Sequence, residues 1–426
     1  MTKENYEETQ KKKYPDQPWM SVKEWKDGII VSSNKPLLFF SLIVIVILTI
    51  TILTFLSSAR KTSGSDKIIL YSLLANFVIF QTFATSYFIT ILLRFKKFGD
   101  SKVKLNTFPG VIGGTFQGTL EIPSIVNAPY GFKATLECIK TYKDPDSRKR
   151  IIREELYTES IYLNGTITDN NNTTVPFCFD IPYDNYSSDI KIFKYGKDYK
   201  QISWILKIEA KIEGLDFQTL FTVPIYKFSD SNPNHITELE AKNNISFTNR
   251  TPNLILKEND IIQDNKNNKL SLIFPAFRAR KSFFNLLGFT AMWSSITLAI
   301  FLINFKGPNK VVDSYTFYMF AIFVIINIVM IYNLFHLLSF KSSIIFNKGN
   351  IEIYKGHFHY SKPMIVPYNK IKDITFKKGW GVEGKRHNMI FSFKDGRKTI
   401  SAMMLKGEDI RNTLKEIITS NLNIKI

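Results

Sequence analysis

Four long stretches of this chain contain no Asp, Glu, Lys or Arg, and they fall into two pairs. Residues 37–56 and 68–93 form the first pair, 283–305 and 315–338 the second. A helix needs about 20 mostly apolar residues to cross a bilayer, and each stretch meets that length. The connections inside the pairs, 57–67 and 306–314, are short, so the pattern predicts two transmembrane helical hairpins. Pro36 stands where a first helical turn tolerates its missing N–H. The first stretch begins too late and lacks the small-residue cleavage site of a secretory signal. This segregation excludes a purely soluble protein. Two cysteines, Cys138 and Cys178, exclude a small disulfide scaffold. The 36 Phe and 19 Tyr supply far more core than a disordered chain has.

Positive residues beside the spans set their orientation. Lys3, Lys11, Lys12, Lys13, Lys23, Lys26 and Lys35 precede the first span, and Arg94, Lys96, Lys97, Lys102 and Lys104 follow the second. Lys266, Lys269, Arg278, Arg280 and Lys281 precede the third, and Lys341, Lys348 and Lys355 follow the fourth. The hairpin loops hold only Arg60, Lys61, Lys67, Lys306 and Lys310. Both termini and the large middle segment are therefore expected in the cytoplasm. The formal net charge of +19 favours anionic partners. Anionic head groups beside the spans account for it first. Nucleic acid is disfavoured, because no motif interleaves basic and aromatic residues.

Polar residues inside the spans are few: Asn76 and Gln81, Asn285 and Asn304, then Asn327, Asn333 and His336. Amides at such positions are expected to hydrogen-bond to neighbouring helices. With no ionisable group mid-span, a proton-coupled transporter or an ion channel is disfavoured. Before the first span, Trp19 and Trp25 are expected as interfacial anchors, since tryptophan prefers the head-group layer. The run 20–30 reads as a short helix lying on that surface or as a loop.

Between Val103 and Lys227 the period changes to two. Trp204, Leu206, Ile208, Ala210 and Ile212 fall on one face of a strand, and Lys207, Glu209 and Lys211 on the other. Clean alternation of this kind belongs to antiparallel sheets with one wet side. Phe132, Ala134, Leu136 and Cys138 alternate likewise, as do Val175, Phe177, Phe179 and Ile181. Short strands punctuated by Gly and Pro predict a β-sandwich. Gly113-Gly-Thr-Phe-Gln-Gly118 reads as a turn or bulge, since strand and not helix follows it. Residues 229–277 read as a linker with short strands.

Val175-Pro-Phe-Cys-Phe-Asp-Ile-Pro182, then Ser203-Trp-Ile-Leu-Lys-Ile-Glu-Ala, then Phe221-Thr-Val-Pro-Ile225 resembles the arrestin-like and Vps26-like sandwiches. Over the whole chain, Tyr14-Pro-Asp-Gln-Pro-Trp19 with Trp25, Gly113–Gly118 and Leu272-Ile-Phe-Pro275 resembles a bacterial inner-membrane protein family without an assigned activity. That resemblance implies architecture and a bacterial inner membrane, and no mechanism.

After the fourth span come short strand patterns with turns at Asn350, Gly356 and Asp395-Gly396, a strong hairpin signal. Ile410, Leu414, Ile417 and Ile418 then form a helical stripe. Strands closed by one helix resemble a pleckstrin-homology-like (PH-like) domain over 341–426. Lys377, Lys378, Lys385 and Arg386 cluster around Trp380. That cluster reads either as an anionic-lipid contact or as a solvated basic loop. His357 and His359, without a third ligand, read as exposed strand histidines and not as a zinc site.

The expected organisation is an amino-terminal segment (1–35), hairpin one (36–94), an arrestin-like sandwich (100–228), a linker (229–277), hairpin two (283–338) and a PH-like domain (341–426). The fold class is a mixed α and β membrane protein. No catalytic, cofactor or metal constellation is present in the sequence. The leading reading is a non-enzymatic membrane scaffold that presents cytoplasmic β domains to a protein partner and to anionic lipid. A transport or lipid-handling component is the alternative, and it would require a homo-oligomer because four helices are few. A membrane enzyme with an unrecognised site is the third.

Overall fold

The computed structural model describes residues 16–25, 27–32, 35–63, 65–144, 151–168, 171–188, 200–229, 231–235, 245–248, 250–266, 269–305, 314–378, 386–406 and 408–422. Two units divide the chain: Met1–Phe40 with Phe88–Asn249, and Ser41–Tyr87 with Arg250–Ile426.

The first unit is a β-sandwich. One antiparallel sheet runs in the order β1 (Ile29–Ser32), β2 (Ser101–Leu105), β4 (Gly114–Ile122), β8 (Thr173–Ile181), β7 (Thr166–Ile167). The facing sheet runs β10 (Phe217–Val223), β9 (Lys200–Ala210), β5 (Phe132–Lys143), β6 (Ile151–Leu163). A parallel pair, β3 (Gly110–Val111) with β11 (Ile225–Tyr226), completes it. The period-two residues do what their alternation predicts. Trp204, Leu206 and Ile208 from β9 meet Phe116, Phe177 and Phe179 in one buried cluster. Burying each such side chain contributes about 1.5–3 kcal/mol. Cys138 and Cys178 are both buried thiols.

Trp19 and Trp25 belong to this same cluster, at 8% and 6% exposure. Trp19 packs on Tyr226 and Phe228, and the Trp25 indole N–H donates to the Thr222 carbonyl at 2.8 Å. The expected interfacial anchors are thus core residues of the sandwich. Two short 3-10 turns, Pro18–Ser21 and Lys23–Trp25, carry them there. The segment beyond them is not a surface helix but the edge strand β1.

Two long helices, α1 (Lys35–Lys61) and α2 (Ser65–Phe98), lie between β1 and β2. These two strands are hydrogen-bonded neighbours, with Ser32 opposite Ser101. The helical hairpin therefore stands where a β-turn would. Lys35 and Asp100 close its base with a 2.8 Å ion pair. Gly99 ends α2 at φ +64°, and a Cβ there would lie 2.7 Å from Pro123 Cγ. Only glycine fits this left-handed C-cap against Pro123.

The second unit repeats the device. A five-stranded antiparallel sheet runs β12 (Ile262–Lys266), β13 (Lys269–Phe274), β14 (Phe340–Phe346), β15 (Asn350–His357), β16 (Met364–Pro367). A three-stranded sheet follows, β17 (Ile371–Lys378), β18 (Arg386–Phe393), β19 (Lys398–Lys406). Helix α3 (Pro252–Glu258) precedes the strands. Helices α4 (Arg280–Phe305) and α5 (Ser314–Ser339) lie between β13 and β14, whose register pairs Phe274 with Ser342. The expected boundary at residue 341 is therefore too late, because β13, assigned to the linker, is an inner strand of this sheet. Helix α6 (Glu408–Leu422) closes the unit by burying Ile410, Leu414 and Ile418 completely. Arg250 ties α3 to α6, reaching Glu258 at 2.5 Å and Asp409 at 3.3 Å.

Among the described residues three helices are long and apolar enough to cross a membrane: Lys35–Lys61, Leu73–Phe98 and Thr316–Ser339. Within the second unit Asn76, Gln81 and Asn327 bond across helices, as expected, whereas Asn333 donates to the Val329 carbonyl of its own helix. Gln81 donates to Thr49 at 3.1 Å, Ser294 to Asn327 at 2.9 Å, and Ser295 to Asn76. Trp293 stacks on Phe323 with centroids 4.7 Å apart. Gly288 faces the Phe83 ring, where a Cβ would come within 2.6 Å.

Candidate basic site at the helix-bearing end of the second unit

Strand register shows which end of the second unit bears α4 and α5. The end of β13, the start of β14 and the end of β15 meet at that level, since Phe274 faces Ser342 and Phe340 faces His357. The three-stranded sheet turns the same end toward the helices. Arg278, two residues before α4, donates from Nη2 to the Met403 carbonyl of β19. The Met404 amide donates to Asn388 Oδ1 of β18 at 3.0 Å, and Asn388 is the register partner of Lys377 on β17. Lys378 stands opposite His387, and Arg386 opposite Lys406. Register thus brings Lys377, Lys378 and Arg386 to the end of the unit where the apolar helices leave. Trp380 and Lys385 lie outside the described residues.

Further cations gather there. Lys341 Nζ sits 4.5 Å from the Tyr360 ring centroid, and burial pushes the Tyr360 phenol up from its ordinary pKa. The Arg280 guanidinium lies 5.9 Å from the Phe277 ring. Lys355 donates to Thr399 at 2.7 Å. The strand ends themselves carry no Asp or Glu; Glu408 and Asp409 follow Lys406 at the start of α6, where Asp409 pairs with Arg250. Lys377 is exposed, so its charge is available to an anion, although water and salt weaken each such contact.

Beside the strand ends lies a cavity of about 40 Å³, lined by Phe277, Arg278, His336, Phe340, Met403 and Met404 among others. That volume admits a few waters at most, far below the roughly 300 Å³ of a small-molecule pocket. Phe277 and Met404 hold φ of +57° and +56°, a conformation that bulky residues rarely adopt.

No spacing or motif in the sequence links His336 to His357. Their ring centroids are 5.0 Å apart, with Phe340 stacked on His336 and Phe335 on His357. Ser339 Oγ lies 2.6 Å from the Phe335 carbonyl and 2.7 Å from His357 Nδ1. A hydroxyl has one proton; donating it to the carbonyl leaves Oγ to accept from Nδ1–H of His357. His357 is thus an exposed strand histidine, as expected, whose ring also holds the hydroxyl of the last residue of α5. Among the described residues no group of three or more His, Cys, Asp or Glu is placed to hold a metal ion.

No family model matches the sequence. No curated protein matches it either. Among solved structures the chain is similar to Spo0M, a sporulation control protein from Bacillus subtilis. The identity is 10% and the TM-score 0.22, over 76% of this chain and 97% of that one. A likeness at that score carries no argument about this chain.

Proposed function

We propose that the chain is an integral membrane scaffold whose four long helices cross a bacterial inner membrane as two hairpins, with each β unit on the cytoplasmic face. The observation that carries this reading is the repeated device: each helical hairpin issues from between two hydrogen-bonded antiparallel strands. Paired strands lie on one side of a bilayer, so the helices between them cross an even number of times. This parity supports counting α4 as a span beside the three most apolar helices. On this reading each β unit is held at the bilayer surface through two chain connections and not one.

The first unit is read as an arrestin-like sandwich. The second is read as a PH-like domain, supported by two antiparallel sheets closed by a carboxy-terminal helix. The basic strand ends around Lys377 and Arg386 would meet anionic head groups, where each cation near the leaflet gains about 1 kcal/mol. The two β units would then present their exposed edges to a protein partner.

Reporter fusions after Lys227 and after Ile426 test the topology. Activity of a cytoplasm-specific reporter at both points is expected, and an outward-specific signal at either would overturn it. Lipid contact is tested separately on the purified protein in nanodiscs. Lys377→Glu should weaken protection of the 377–388 backbone from hydrogen exchange in anionic discs and leave it unchanged in zwitterionic ones. Equal protection of wild type in both lipids would refute the contact.

A further inference from the structure

Strand β6 is the outermost of its sheet and runs for 13 residues. Part of its outer edge is already taken by a short piece of the same chain. The Thr248 amide donates to the Tyr162 carbonyl at 3.0 Å, the Asn164 amide donates to the Ser246 carbonyl at 2.7 Å, and Leu163 bridges to Phe247 in antiparallel sense. These bonds fix the direction of the edge. The Tyr162 carbonyl points away from β5, and backbone groups alternate along an antiparallel strand. Ser160 and Thr158 therefore turn their N–H and C=O groups outward too. Between Ile151 and Ile161 no strand pairs with β6 on that side among the described residues.

The two halves of this edge differ. The amino-terminal half is defended as natural edges are. Arg153, Glu154 and Glu155 are exposed, and the register jumps between Cys138 and Ile139, leaving Leu156 as a bulge. The half from Thr158 to Ile161 has neither a bulge nor a lysine. It lies beside carboxylates instead. Glu137 of β5 is the register partner of Thr158. Burial, with repulsion from Glu155 and Glu209, raises the Glu137 pKa despite the opposing effect of Lys207 and Arg153. Glu159 adds a further carboxylate, bonded to the Tyr157 hydroxyl at 2.6 Å. A cation laid along this edge would meet the Glu137 carboxylate beside Thr158, while Glu209 is already paired with Lys207 at 2.8 Å.

We propose that the β6 edge over residues 158–161 is a docking site at which an extended segment of a partner protein, bearing Lys or Arg, adds as a further strand in line with 245–248. Backbone hydrogen bonds to Thr158 and Ser160 supply the register, and the carboxylates select the charge, as strand addition elsewhere divides the two tasks. This deepens the scaffold reading and rests on it only in taking the occupant to be a protein.

The test follows hydrogen exchange at the Thr158 and Ser160 amides of the full chain in neutral detergent. The probe is a synthetic peptide alternating Lys and Val. Both amides should exchange freely without peptide and at least about tenfold more slowly with it. A Glu–Val peptide, or a Lys–Val peptide with alternate amides methylated, should have no effect. Thr158→Pro should abolish the slowing at Ser160 and keep the β5–β6 pairing, because its lost N–H points outward. Protection without peptide, protection that grows with protein concentration (a second copy on the edge), or equal slowing by the Glu–Val peptide would each overturn the proposal. The reporter topology at Lys227 is unaffected by any of these results, so the scaffold reading fails or stands separately.

Discussion

Phe274 and Ser342 face each other across an antiparallel strand pair, although the chain between them builds two long apolar helices. Ser32 and Ser101 do the same around the other hairpin. The strand pairs are predicted to keep this register with any connection of the right span. Replacing residues 276–340 with Asn-Gly, a sequence suited to tight hairpins, should leave the 250–426 segment folded and water-soluble. Size-exclusion chromatography and a cooperative thermal transition check this. Aggregation of that variant, with loss of its β signal, would show that the helices hold the sheet together.

Gly99 and Gly214 both adopt positive φ, but only Gly99 is crowded: its added Cβ would meet Pro123, while nothing lies within 4 Å at Gly214. Alanine costs about 1–2 kcal/mol in this conformation at either site. Overpacking adds a further cost of about 1–3 kcal/mol at Gly99. Urea midpoints should fall clearly more for Gly99→Ala than for Gly214→Ala. Equal shifts would mean that α2 does not end against Pro123.

Trp25 holds the outer edge of β10 through its indole N–H. Trp25→Phe should cost about 1 kcal/mol, the net worth of one hydrogen bond, and Trp19→Ala about 3–5 kcal/mol as a core cavity. The two residues also differ from membrane anchors in a direct optical measurement. In variants that keep only Trp19 or only Trp25, lipids brominated near the head group should quench little of the fluorescence. Strong quenching would return both to the interface.

Burial pushes the Cys138 thiol from 9 up to about 12. It also raises the Tyr157 phenol, with the neighbouring Glu159 carboxylate adding to the effect. Both groups hold their protons more tightly folded than unfolded. Their contribution is complete below the unfolded pKa values near 9 and 10, and it is lost as pH rises toward the folded ones. The first unit should therefore lose stability progressively above pH 9, with Cys138→Ala and Tyr157→Phe each flattening the curve. A melting temperature unchanged between pH 8 and 11 would contradict this. At pH 8 the buried Cys138 should resist maleimide until denaturant is added.

The sandwich strands were legible because each writes its burial into its own residues. Trp204, Leu206 and Ile208 alternate with Lys207 and Glu209, and that period needs no knowledge of a partner. The apolar helices and the stripe Ile410, Leu414, Ile418 were legible for the same reason. The basic cluster could be found as composition, but its place beside the helices came from the strand pairings that carry Lys377 through Asn388 and Met404 to Arg278.

What the sequence alone determined, then, is every element whose pattern is local: period two for the inner strands, uncharged length for the helices, and Gly or Pro at the turns. The tertiary structure decided everything that depends on a distant partner. β1 is four residues long and becomes a strand only by pairing with β2 beyond a helical hairpin. Trp19 and Trp25 satisfy either a head-group layer or a core, and only the sandwich built from distant strands offers them the core. His336 and His357 meet because β15 returns to the end of α5. Hydrophobicity assigns a residue to burial without naming its neighbour, and a hydrogen-bonding edge accepts any strand; closing the chain in space makes both choices.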